Sequence, residues 1–157
     1  MSVATTFFPK DEYFMRLALR EAERALEHDD VPIGCVIARD GEVVAAFPNE
    51  RELRQDPTAH CEILALREAA NSAGRWRLTA DVLYVTLEPC AMCVGAMVHA
   101  RIARVVFGAR DPKTGACGSI VDLPAIAHWN HHGSFEGGVL AEECGAVLRR
   151  FFAERRS

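Results

Sequence analysis

The chain has 157 residues, 50% of them hydrophobic, and a formal net charge of -4. That length supports one domain with a substantial core, and that charge excludes a protein that holds nucleic acid through bulk positive charge. No apolar run is long enough to span a bilayer and the N-terminus has no signal-peptide pattern, so a cytoplasmic protein without membrane contact is expected.

Residues 1–8 read as a tail. Asp11 to about His28 is amphipathic, with Phe14, Ala18, Ala22 and Ala25 or Leu26 on one face, and predicts a helix lying on a sheet. Val31-Pro32 breaks it. Ile33 to Arg39 and Glu42 to Phe47, separated by Asp40-Gly41, predict a hairpin, and Pro48 to Asp56 reads as a loop. Asp56-Pro57-Thr58 is a helix-start signal, which puts His60 and Glu62 in the first turn of a helix that ends near Gly74. Val82 to Leu87 predicts a strand covered on both faces, and Ala91 to Ala100, apolar nearly all round, a deeply buried helix. Arg104 to Gly108 predicts another strand, followed by a polar loop over Ala109 to Gly118. A weak segment around His128 to Phe135 precedes a last helix over residues 141–157, its clearest part Ala141 to Glu154. Alternating helices and strands make a mixed sheet with helices on both faces the expected α/β architecture.

Two cysteines in the pattern Pro89-Cys90-Ala-Met-Cys93, between a strand and a helix, can hold a metal. The helix N-terminus lowers a cysteine's pKa and the i, i+3 spacing puts both thiols in one turn. By itself Cys-x-x-Cys fits a structural zinc or a buried thiol pair. His60 supplies a third ligand, and three protein ligands leave the fourth position to water, the composition of a catalytic zinc site. Zinc brings bound water toward neutrality as a nucleophile, and Glu62 can take its proton and return protons to a ring nitrogen and a departing amine. H-x-E with P-C-x-x-C is the zinc-deaminase signature. The remaining cysteines, Cys35, Cys61, Cys117 and Cys144, read as small core residues. His99, His128, His131 and His132 lack ligand spacing.

Beyond these motifs, Asp56-Pro-Thr-Ala-His-Cys-Glu-Ile63, Leu83 to Ala96, Val106 to Gly115 and Phe151-Phe-Ala-Glu-Arg-Arg156 resemble, in order, segments of the bacterial tRNA-specific adenosine deaminases in the cytidine/deoxycytidylate deaminase superfamily. The resemblance implies a three-layer α/β/α cytidine-deaminase-like fold with a mixed sheet of about five strands in a single deaminase domain over residues 1–157. It implies one zinc held by His60, Cys90 and Cys93, Glu62 as proton shuttle, and adenosine-to-inosine hydrolysis at the wobble position of a tRNA anticodon, chiefly an arginine tRNA. It also assigns Asn49, Val31 and Ala59 to substrate binding, Asp111 and Lys113 to the RNA side, and Arg149, Arg150 and Phe152 of the C-terminal helix to the anticodon loop. The partners implied are a tRNA anticodon stem-loop and a second copy of the chain, not DNA. Two departures stand out: Cys61 where the family usually has alanine, and Phe47-Pro48 before Asn49. The competing readings are a deaminase of free cytosine, guanine or related compounds, and an inactive zinc-stabilised RNA-binding subunit.

Overall fold

The computed structural model describes residues 8–156; the tail expected over residues 1–8 falls outside them except for Phe8. Five strands form one sheet in the order β2-β1-β3-β4-β5. These are β1 (Gly34–Arg39), β2 (Glu42–Pro48), β3 (Asp81–Leu87), β4 (Arg104–Ala109) and β5 (Ser134–Gly137). The first three pair antiparallel, whereas β3, β4 and β5 run parallel. Asp40 and Gly41 both take positive φ, 53° and 81°, so the two-residue turn between β1 and β2 has the twist an Asp-Gly pair favours.

Helices cover both faces. On one lie α1 (Pro9–Ala25) and α5 (Ala141–Arg156), with Phe14, Met15, Ala18 and Cys144 packed on Val36, Tyr84 and Val106. On the other lie α3 (Cys61–Ala73) and α4 (Ala91–His99), with Cys61, Ala65, Cys93 and Met97 on Ile37, Leu83, Val85 and Phe107. Each buried large apolar side chain contributes about 1.5–3 kcal/mol. The approach of α1 to β1 demands Gly34, since a Cβ there would lie 2.0 Å from the Ala18 carbonyl oxygen. Gly108 serves α5 in the same way, a Cβ meeting Cys144 Sγ at 2.5 Å.

Three expectations need correction. The Pro48–Asp56 loop contains the end of β2 and a short helix, α2 (Arg51–Arg54). The carboxylate of buried Asp30 accepts from the Glu52 and Leu53 amides at 2.8 and 3.2 Å, a cap supplied from far along the chain. Helix α4 is buried along one side only; Met92 is 37% exposed, and Ala91 and His99 also face outward. The weak segment ends in β5, a short edge strand whose pairing runs to β4.

One polar cluster clamps α1 to the sheet. Asp11 accepts from the Phe8 amide, the Tyr84 hydroxyl at 2.9 Å and both terminal nitrogens of Arg104 at 2.7 Å. Burial alone would raise the Asp11 pKa, but the Arg104, Phe8 and Tyr84 donors outweigh it and bring the carboxyl below its ordinary value of 3.8. A lowered native pKa adds stability that is present above the unfolded value and is lost as pH falls through the native one. Asp11→Asn is expected to cost about 3 kcal/mol in urea unfolding at pH 7, a difference that shrinks as the pH falls below about 4.

Candidate active site

The site lies where α3 and α4 begin, at the carboxyl end of β3, the edge at which open α/β sheets bind ligands. His60 and Cys90 are N-cap residues with extended backbone, φ -67° and -79°, so both project from just before their helices. His60 thus stands one residue ahead of the turn the sequence assigns it, and Glu62 is inside it. Cys93, one turn into α4, is fully buried and comes in from below.

His60 Nδ1 lies 3.6 Å from Cys90 Sγ and 3.5 Å from Cys93 Sγ, and the three donor atoms fall within 4.8 Å of one another. For tetrahedral zinc with bonds of about 2.1 Å to nitrogen and 2.3 Å to sulfur, the nitrogen–sulfur edge is about 3.6 Å. The donor set therefore fits zinc in both spacing and chemical type. The Cys93 thiol and His60 hold Cys90 down to about 4, a thiolate, while the Cys90 sulfur, burial and Glu62 drive Cys93 up. Two thiols that share a proton in this way are a place where a cation can replace it.

Glu62 is buried beside this triad, and its Oε1 accepts from the Cys61 thiol at 3.2 Å. Burial raises its pKa above the ordinary 4.5, against the opposing pull of its own amide, the Cys61 thiol and His60. A carboxyl moved toward neutrality can both accept and return a proton. Cys61 is the small buried residue expected, but it also touches the carboxylate.

A cleft of about 810 Å³ opens above these residues. Val31, Asn49, His60, Glu62, Cys90, Asp111, Lys113, Arg149 and Phe152, all marked in the sequence, line it. Fully buried Ala59 and exposed Arg150 do not line it, so the geometry gives neither a place in the cleft. Asn49 is buried; its side-chain amide donates to the Val31 carbonyl at 3.3 Å and its backbone amide to Ile33. Asp111 is turned upon its own loop, accepting from the Lys113 and Thr114 amides and, at 2.7 Å, from the Thr114 hydroxyl.

Residues the sequence did not single out for the site also line it, among them Ile33, Leu87, Glu88, Arg51 and Leu148. Arg51, Arg110, Lys113, Arg149 and Arg155 give the cleft five cations in a chain of net charge -4. Charge is thus gathered locally where bulk charge is lacking. Arg51 was hidden in a stretch without period. Arg155, which stacks over Phe151 at 4.3 Å and donates to the Asp29 carbonyl at 3.2 Å, fixes the end of α5 beside the cleft. Among the remaining histidines, His131 contacts the Ile102 carbonyl oxygen and His99 packs edge-on against Trp129, as structural residues do.

A family model described as the cytidine and deoxycytidylate deaminase zinc-binding region matches residues 9–109. The chain is 47% identical over 147 residues to the tRNA-specific adenosine deaminase of Bacillus subtilis (strain 168), covering 94% of this chain and 91% of that protein. A solved structure from work on A-to-I editing by tRNA:A34 deaminases at the wobble position is 43% identical, with a TM-score of 0.83 over 87% of this chain and 99% of that one. The guanine deaminase of Bacillus subtilis is 30% identical with a TM-score of 0.63, over 93% of this chain and 94% of that one. Replacing one ligand tests the metal assignment: Cys93→Ala is expected to lower zinc affinity at least about 100-fold in competition with a chromophoric chelator.

Proposed function

This chain belongs to the cytidine and deoxycytidylate deaminase family, alongside the tRNA-specific adenosine deaminases, and we propose that its cleft hydrolyses adenosine to inosine at the wobble position of a tRNA anticodon. The observation that carries this reading is the junction of a His60, Cys90, Cys93 triad and buried Glu62 with a cleft lined by five cations. The triad and carboxylate are what deamination needs; the cations are what a free base does not need and an RNA loop does. Among the solved structures, 43% identity to the tRNA:A34 deaminase against 30% to the Bacillus subtilis guanine deaminase points the same way.

Zinc held by His60, Cys90 and Cys93 would supply the acidification that makes water a nucleophile near neutral pH. Glu62 accepts a proton from the attacking water and passes it to the ring nitrogen of adenine. It then carries the second proton to the exocyclic amine, which leaves as ammonia when the carbon–nitrogen bond breaks. Burial serves both halves, since a carboxyl excluded from water exchanges protons with the substrate rather than with solvent. Asn49, anchored through Val31, holds an amide beside the base, where it can donate and accept at once. Entry into so deep a site requires the adenine to be splayed out of its loop. Lys113, Arg149 and Arg155 then meet the phosphates, and half-exposed Phe152 offers a stacking surface to a neighbouring base.

The finer proposals are an arginine tRNA as principal substrate, a cytoplasmic setting, one catalytic domain with α5 as its RNA-contacting arm, and a homodimer. Among the described residues no helix is long and apolar enough to cross a membrane. The outward Met92, on α4 beside ligand Cys93, gives a second copy an apolar contact near the site.

Glu62→Gln is expected to reduce inosine formation in an anticodon stem-loop by about 10³-fold or more while zinc content and RNA binding persist. The wild-type protein, assayed in parallel on that stem-loop and on free adenosine, guanine and cytosine, is expected to act on the RNA. Activity confined to the free compounds would transfer the assignment to a free-base deaminase.

A further inference from the structure

Glu88 precedes Pro89 and ligand Cys90, yet it has no part in the chemistry above. Its side chain is 2% exposed in a position where a lone carboxylate is costly to bury. Four donors offset that cost, and all come from the loop that follows β4. Oε1 accepts from the Asp111 amide at 3.1 Å and the Ser119 hydroxyl at 2.5 Å; Oε2 accepts from the Cys117 amide at 2.9 Å and the Ser119 amide at 3.2 Å. The loop is shaped around this carboxylate. A Cβ on Gly115 would lie 2.4 Å from Glu88 Cδ and 2.5 Å from the Asp111 carbonyl oxygen, so only glycine lets the chain pass so close. The backbone beside it completes the joint, with the Glu88 amide donating to Ala109 and the Ala116 amide to the Pro89 carbonyl, both at 2.8 Å.

We propose that Glu88 is a positioning residue for substrate recognition, a buried template that fixes the Asp111–Ser119 loop, and with it Lys113, in register with the zinc-binding turn. Other bonds shape the loop from within, the Gly115 amide donating to Asp111, Gly118 to Val121, Ile120 to Gly115 and Arg110 to the Cys117 carbonyl, but these do not reach the zinc-binding turn. Pro112, Lys113, Thr114 and Gly118 to Ile120 are exposed, and the Asp111 side chain organises only the turn to Thr114. Without the carboxylate, the Asp111, Cys117 and Ser119 amides lose their common acceptor and the loop's cleft-facing residues lose their fixed distance from Cys90. Glu88 therefore acts on how RNA is held, through the loop, and not on proton transfer.

The inference rests on the RNA reading of the cleft. In the zinc-loaded full chain, Glu88→Gln puts an NH2 group among these donors while keeping size and shape. Its expected signature is an anticodon stem-loop Kd raised about tenfold, with the single-turnover rate at saturating RNA within about threefold of wild type and zinc still one per chain. Amide exchange at Asp111, Cys117 and Ser119 is expected to accelerate while α3 and α4 stay protected. Ser119→Ala, which removes one donor from an exposed position, is expected to weaken RNA binding about threefold and serves as the deciding variant if Glu88→Gln does not fold. Unchanged affinity and unchanged loop exchange in Glu88→Gln, or in Ser119→Ala where that variant decides, overturn the proposal. Loss of zinc or of the single-turnover rate in step with affinity also overturns it, because Glu88 would then act on the metal turn. Absence of inosine formation by the wild-type protein is a separate result: it removes the RNA reading, while the exchange data still report whether Glu88 holds the loop.

Discussion

Everything in the site depends on a separation of 3.5–3.6 Å between an imidazole nitrogen on one helix and two thiols on another. Neither helix could set it alone. Helices α3 and α4 lie on the same face of the sheet, pressed onto Ile37, Leu83, Val85 and Phe107, and both begin at the edge where β3 ends. Two helix N-termini converge there, and the positive end of each helix favours thiolates, the Cys93 thiol, His60 and the Cys93 amide together lowering the Cys90 pKa. The parallel pairing of β3 and β4 brings the Asp111 loop to that same edge. Metal ligands, proton carrier and RNA-side loop are consequently neighbours because of strand direction, although they are far apart in the chain.

The metal chemistry was legible because it resides in local patterns. Cys90 and Cys93 are three residues apart, His60 and Glu62 two, and each pair opens a helix whose apolar stripe can be counted. The hairpin was equally legible, since Asp40-Gly41 states its turn by residue type. What resisted reading came from partners far along the chain. Helix α2 is too short to show a period, and it exists because Asp30, 22 residues earlier, caps it. The four-residue β5 is defined by its backbone pairing to β4. A glutamate before Pro-Cys looks like a surface charge until donors 23 to 31 residues away are seen to converge on it.

The apolar composition of α4 suggested burial on all sides, yet small residues made it apolar without making it central. Cys93, Val94, Met97 and Val98 form the buried side of the helix, while Ala91, Met92 and His99 turn outward and a side chain at Gly95 would meet nothing. A helix hidden by the rest of its own chain and one with an open side can share the same apolar residues, so residue type does not separate them. The RNA-side cations had a similar ambiguity. Arg110, Lys113, Arg149 and Arg155 fall in two sequence clusters that fit solvated faces, and only the packing of α5 beside the β4 loop turns them toward a common space.

Full burial of Cys93 leaves His60 and Cys90 as the two ligands that line the cleft, with Glu62 beside them. An ion must therefore arrive and depart through the mouth that admits the nucleotide. A nucleotide seated in that mouth would stand between the ion and the solvent.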